Sequence, residues 1–199
     1  VIIYRLPLGK SIIFPSSQCT KCQHRIDWFE NVPLISWLFL RGRCSNCKEN
    51  ISIIYPIVEL VTGLIFLLTN YSEPSSFGVS PLLVKTILGW IFISILIALA
   101  ILDIKYFWLP DSICKFGIFV GIFSNIILEI IYESSTKYIF GFESIISALL
   151  GYLIFKIISA IGLRIFQKPA MGQGDANLSA LLGAWLGIKG LFIAIWLAF

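Results

Sequence analysis

Residues 82–103 read LLVKTILGWIFISILIALAILD, an apolar run of 21 residues from Leu82 to Leu102 that closes on Asp103. About 20 consecutive, mostly apolar residues are what a helix needs to cross the hydrocarbon layer of a bilayer. The stretch therefore predicts a membrane span. Its last residue carries further information, because an ionisable group at the end of a span is a functional expectation by default.

The rest of the chain extends this pattern. Of its 199 residues, 58% are hydrophobic and 13% charged, with a mean hydropathy of +0.91. A soluble domain holds about 45–50% apolar and about 25% charged residues. Further apolar runs lie at Ser112–Tyr132 and Ser144–Phe166, and a shorter one runs from Pro56 to about Tyr71. Pro56 suits a first helical turn. Leu178–Trp185 and Leu191–Phe199 are also apolar, interrupted at Gly187-Ile188-Lys189-Gly190. They form either one broken helix or a short helix and the start of another. The expected fold class is an all-α polytopic membrane protein, a helical bundle, with a small polar region over 1–55 and a transmembrane domain over 56–199. The chain starts with Val, and Val1-Ile2-Ile3 reads like the tail of a helix. The last run stops while still apolar, so both ends are expected to be truncated. No charged start with a small-residue cleavage site marks a signal peptide.

Lys and Arg distribution sets the expected topology. Residues 1–55, 103–111 and 167–177, counted with Arg164, hold ten of them, and the loops 71–80 and 133–143 hold one, Lys137. The first three segments are thus expected on the cytoplasmic side of the membrane. The net charge of +4 is scattered and does not point to nucleic acid.

That topology puts a second carboxylate beside the first. Gly172-Gln173-Gly174-Asp175 lies between a basic segment (Arg164, Lys168, Pro169) and the run from Leu178. Asp175 can cap the following helix, but capping does not explain two glycines. Glycine permits close backbone approach, so an extended peptide laid along Gly172 and Gly174 would reach Asp175. Two facing Asp that share a proton activate water on a peptide carbonyl, one as acid and the other as base. Asp103 reads either as half of that pair or as an interfacial charge paired with Lys105. Asp111 follows Pro110 and reads as a helix cap. No Ser or Cys nucleophile has a His to serve it, since the lone His24 lies in a loop near the N-terminus. Cys114 reads as a small buried apolar residue.

Cys19-x-x-Cys22 and Cys44-x-x-Cys47 are separated by 21 residues. Two such knuckles present four thiolates tetrahedrally, the arrangement that structural zinc prefers. Two disulfides are the rival reading, and a cytoplasmic position argues against them. His24 reads as a loop residue beside the knuckle.

Together these residues resemble the prepilin peptidases, or type IV leader peptidases, membrane aspartyl proteases that cut the leader from type IV pilins and type II secretion pseudopilins. The likeness runs in order along most of the chain: Arg5-Leu6-Pro7, the two Cys knuckles with Glu30–Trp37 between them, Tyr55-Pro56-Ile57-Val58-Glu59, Leu102-Asp103 with Leu109-Pro110-Asp111, Met171–Asp175, and Leu182–Trp185. The resemblance implies Asp103 and Asp175 as the catalytic pair, a pilin-like precursor as partner, and N-methylation of the new terminus with S-adenosylmethionine. It departs from the family pattern at Asn177, where a basic residue is usual, and lacks the first span and the C-terminal part. Glu59, one turn into a span, is expected either to meet the substrate N-terminus or to pair with a nearby Arg or Lys. Two other classes remain open. A transporter would use Asp103 and Asp175 as proton or cation ligands, although such sites lie near the midplane and these Asp lie at the ends of spans. A membrane redox or assembly protein would hold iron in the Cys tetrad.

Overall fold

The structure, a computed structural model, describes residues 2–9, 11, 14, 16–71, 81–131, 140–167 and 171–198. Most of the expected loops 71–80 and 133–143 lie outside the described residues. By internal contacts the chain divides into two units, Val1–Pro74 and Ser75–Phe199. Among the described residues the secondary structure is helical, and strand-like pairing is limited to two isolated bridges.

The first unit opens with a short helix α1 (Ile2–Arg5) and a 3-10 turn over Leu6–Leu8. The buried Arg5 guanidinium donates to the carbonyls of Ser11 (3.3 Å) and Ser16 (2.9 Å) and so gathers the following chain. A one-turn helix α2 (Ile35–Phe39) sits between the two Cys knuckles. Its Trp37 donates through Nε1 to the Ile51 carbonyl at 3.3 Å. The unit ends with α3 (Ile54–Tyr71), an apolar helix shorter than the spans that follow.

The second unit contains α4 (Pro81–Tyr106), α5 (Asp111–Ile131), α6 (Phe140–Phe166) and α7 (Gln173–Ala198). All four are long and apolar enough to cross a membrane. Helix α7 is central, packed against both α5 and α6, while α4 lies on α5. Small residues make the α6–α7 contact possible. Ala176, Ala180 and Ala184 are buried at four-residue spacing along α7, and a Cβ on Gly151 of α6 would stand 2.7 Å from the Ser179 carbonyl oxygen. In lipid, where apolar side chains gain nothing by leaving water, such close backbone approach is a main source of helix association. An apolar core of Ile95, Leu99, Leu109, Cys114 and Leu181 joins α4, α5 and α7. Phe92 stacks on Trp185 at 4.8 Å, and Trp185 Nε1 donates to the Gly117 carbonyl at 2.9 Å. Cys114 is fully buried here, in the role its sequence position predicts.

Helix ends differ from the hydropathy reading. Helix α4 continues past Asp103 to Tyr106 and stops where Phe107 adopts φ +48° and donates its N–H to the Asp103 carbonyl at 2.8 Å. Helix α7 begins at Gln173, five residues before the apolar run. It then runs through to Ala198 with non-helical dihedrals at Gly187 (φ 67°, ψ −174°), which decides for one broken helix.

Candidate functional site

Three carboxylates lie at one end of the second unit. Asp103 is in the last turn of α4, Asp111 opens α5, and Asp175 is in the first turn of α7. Residues 107–110 link α4 to α5, so the first two ends are necessarily close. Two contacts bring the start of α7 to them. Asn177 Nδ2 donates to Asp111 Oδ1 at 2.8 Å. Gly174 lies against Leu109 so closely that a Cβ there would come within 2.8 Å of the Leu109 Cβ.

Asp175 is half-buried, and its Oδ2 accepts the Gly172 N–H at 3.0 Å. An acid that reaches back from the first turn to the residue before the helix is one half of a capping box, and its negative charge suits a helix N-terminus. One carboxylate oxygen is thereby fixed. Asp103 is exposed, and among the described residues its carboxylate has neither a hydrogen bond nor an ion pair, Lys105 included. No hydrogen bond joins Asp103 directly to Asp175 among the described residues. A cavity of about 210 Å³ opens between Phe155, Lys156 and Ser159 of α6 and Met171, Gly172, Gln173 and Ala176 around the start of α7, and Asp175 is not part of its lining.

By sequence, Asp111 is a cap for its own helix. The structure gives its carboxylate a partner on α7, 66 residues away. Asn177 stands out in the sequence only as a departure from a family pattern, and nothing local could have paired the two. The glycines have local duties: the Gly172 N–H orients Asp175, and Gly174 admits Leu109. Glu59, in the first unit, accepts the Leu34 N–H through Oε2 at 2.8 Å, and no Lys or Arg pairs with it among the described residues. That bond ties the segment between the knuckles to α3.

The four cysteines Cys19, Cys22, Cys44 and Cys47 are free, and their Sγ atoms all lie within 4.8 Å of one another. Cys19–Cys47 and Cys22–Cys44 are 3.7 and 4.0 Å apart. Metal–sulfur bonds of about 2.3 Å in a tetrahedron require S–S edges of about 3.8 Å, so the donor set fits a metal ion. The two knuckles are built alike. The Cys19 N–H bonds the His24 carbonyl and the Cys44 N–H the Glu49 carbonyl, with Gln23 and Lys48 both at φ 57°. That tight turn aims backbone N–H groups at sulfur. The amides of Cys22 and Lys21 pull the Cys19 thiol below its usual range, and the His24 amide does the same for Cys22. The Glu49 amide also pulls on Cys47, but desolvation and the three neighbouring thiols outweigh it and hold Cys47 up at about 11. Four thiols this close cannot all ionise unless a cation sits among them. His24 contributes its backbone and stays outside the sulfur set.

Two families of known proteins match the chain. Residues 1–72 match the bacterial peptidase A24 N-terminal domain, and residues 90–199 match the type IV leader peptidase family. The chain belongs to the type IV leader peptidase family. Its first matched stretch holds the Cys tetrad, and the second holds all three carboxylates of the helix ends. A protein of Myxococcus xanthus (strain DK1622) named prepilin leader peptidase/N-methyltransferase is 36% identical over 195 residues, 96% of this chain and 52% of the relative. A Klebsiella pneumoniae protein of the same name is 36% identical over 197 residues, 96% of this chain and 80% of the relative. The type 4 prepilin-like proteins leader peptide-processing enzyme of Escherichia coli O78:H11 is 34% identical over 183 residues, 89% of this chain and 61% of the relative. No solved structure matches the chain.

Proposed function

We propose that this leader peptidase family member cuts the leader from type IV pilin or type II secretion pseudopilin precursors with Asp103 and Asp175, on the cytoplasmic side of the inner membrane. The observation that carries the reading is the convergence of the α4 C-terminus and the α7 N-terminus. It is held by the Leu109–Gly174 contact and the Asn177–Asp111 bond. Those contacts hold the end of α7 that bears Asp175 against the link that follows Asp103, which supports a peptide reaching both acids.

The two acids take opposite roles on the bound peptide. The ionised one takes a proton from water as the water oxygen attacks the scissile carbonyl. The protonated one gives its proton to the carbonyl oxygen, and proton return to the leaving amine completes the cut. Asp175 enters with one oxygen held by the Gly172 N–H and the other available. Gly172 is exposed and leaves the backbone open to an extended substrate, whereas Gly174 is taken up by Leu109, and Glu59 is the candidate partner for a substrate N-terminus.

Zinc is the metal that suits the Cys tetrad, because four thiolates in a tetrahedron with no open position make a structural zinc site. When bound, it would stabilise the first unit without activating water. N-methylation of the new terminus with S-adenosylmethionine is the second activity, supported by the intact tetrad and by the names of the relatives. The test is incubation of the purified protein with a pilin-like precursor. Wild-type protein should release the leader and the Asp175→Ala variant should not. Equal cleavage by both would sink the reading.

A further inference from the structure

The break in α7 is built rather than tolerated. In an unbroken helix the Ile188 N–H would donate to the Ala184 carbonyl four residues back. Here both groups have partners on other helices. The Ala184 carbonyl accepts from Asn125 Nδ2 of α5 at 2.8 Å and from the Ser144 hydroxyl of α6. The Ile188 N–H donates to Glu143 Oε1 of α6 at 3.3 Å. Asn125 Nδ2 also reaches the Ser144 oxygen at 3.2 Å, closing the set. Gly187 makes the exchange possible, since φ 67° favours glycine and a Cβ there would stand 3.0 Å from Glu143 Oε1. Gly187 lies fourteen residues after Gln173, about 21 Å along the axis at about 1.5 Å per residue. Unpaired backbone groups at such depth in a bilayer are costly, so the three side chains are what permit the break.

We infer that Asn125, Ser144 and Glu143 are positioning residues for Asp175, an inference that rests on the peptidase reading above. They give up one hydrogen bond inside α7 and gain bonds to α5 and α6, which pins the rotation and height of the half-helix 173–187. At about 100° per residue, a slip of one residue would swing Asp175 a quarter turn from its place. It would also break the Asn177–Asp111 bond at the other end of the same half-helix. The clamp at Ala184 and the lock at Asn177 therefore enforce one register from two ends.

The experiment measures precursor cleavage by full-length protein in membranes, with kcat and KM separated. Asn125→Ala, Ser144→Ala and Glu143→Ala should each lower kcat about tenfold or more and leave KM within about twofold. Glu143→Gln keeps an acceptor for the Ile188 N–H and should restore most of the rate. Gly187→Ala, which acts on the same break from the backbone side, should match Glu143→Ala. Asn125→Ala combined with Asn177→Ala should lose less than the product of the two single effects, because both fix the same register. Wild-type rates in Asn125→Ala and Ser144→Ala would overturn the inference. So would Glu143→Gln as slow as Glu143→Ala, or strictly multiplicative losses with Asn177→Ala. Where one of the alanine variants fails to fold, the Glu143→Gln and Gly187→Ala pair takes its place: a fast Gln variant beside a slow Ala variant supports the clamp, and equal rates overturn it. Failure of the clamp leaves Asp175→Ala inactive and the peptidase reading intact, whereas failure of that reading leaves Asp175→Ala active.

Discussion

Asn177 Nδ2 donates to Asp111 Oδ1 at 2.8 Å, and this bond joins the second turn of α7 to the first residue of α5. Asn177 is almost fully buried and Asp111 is exposed, so the bond is partly shielded from water. A typical hydrogen bond contributes about 0.5–1.5 kcal/mol net. Asn177→Ala should therefore lower thermal stability and slow cleavage. Asp111→Asn keeps an acceptor oxygen and should be milder than Asp111→Ala. The check is thermal unfolding in detergent alongside a cleavage assay. Equal losses for Asp111→Asn and Asp111→Ala would mean that charge, not the bond to Asn177, is what this position supplies.

Asp103→Ala and Asp175→Ala should each abolish leader cleavage. A pair that lacks one member cannot supply both an acid and a base. The double variant should be no worse than either single one, as for residues that act as a unit. An active Asp103→Ala protein beside a dead Asp111→Asn protein would transfer the catalytic role within the α4–α5 region to Asp111.

Much of the fold is legible in the sequence, for physical reasons. Spans are announced by runs such as Leu82–Leu102, because the bilayer demands length and apolarity together. The Cys tetrad is announced by its spacing. Helix ends are less legible. Asp103 and Lys105 look like a loop by hydropathy, yet α4 holds them in its last turn, since backbone hydrogen bonds continue until Phe107 turns left-handed. Asp175 looks like a cap for a helix at Leu178, but its own bond to Gly172 starts the helix at Gln173. What pattern does not reach are contacts between distant residues, such as Asn177 with Asp111 or Ala184 with Asn125. A polar residue within an apolar run, such as Asn125, is the one signal that a partner exists.

Gly174 offers a test of the helix-end convergence that leaves every carboxylate in place. A Cβ there would stand 2.8 Å from the Leu109 Cβ and 3.5 Å from the Leu109 carbonyl oxygen. Overpacking of this kind costs about 1–3 kcal/mol. Gly174→Ala should push α7 away from the α4–α5 link and lower cleavage more than stability. Leu109→Gly removes the clashing Cβ and should recover part of the loss when combined with it. A Gly174→Ala protein with wild-type cleavage would show that the contact does not position the acids.

Ser45, Lys105 and Gln173 should share one face of the membrane, the cytoplasmic one. The motive is the Lys and Arg asymmetry of ten against one. Single-cysteine labelling in a Cys-free background checks it. Reaction of any of the three with an impermeant reagent outside intact cells would contradict the topology.

The tetrad should bind one zinc ion as a closed site. Its four Sγ atoms already lie within 4.8 Å of one another, and the knuckle turns aim N–H groups at sulfur. A closed site stabilises the fold and offers no position for water. Replacing Cys44 and Cys47 with Ser should remove the metal and loosen the first unit, because two hydroxyls do not replace two thiolates as ligands. Methylation of the product should be lost first. Cleavage should fall less, since both acids belong to the second unit and the metal has no part in their proton transfer. Metal analysis of the full-length variant, with cleavage and methylation assayed separately, makes the test. Retained zinc would show that the tetrad is not the site. Zinc lost together with all cleavage, in a protein whose membrane helices remain folded, would make the metal part of the cutting machinery.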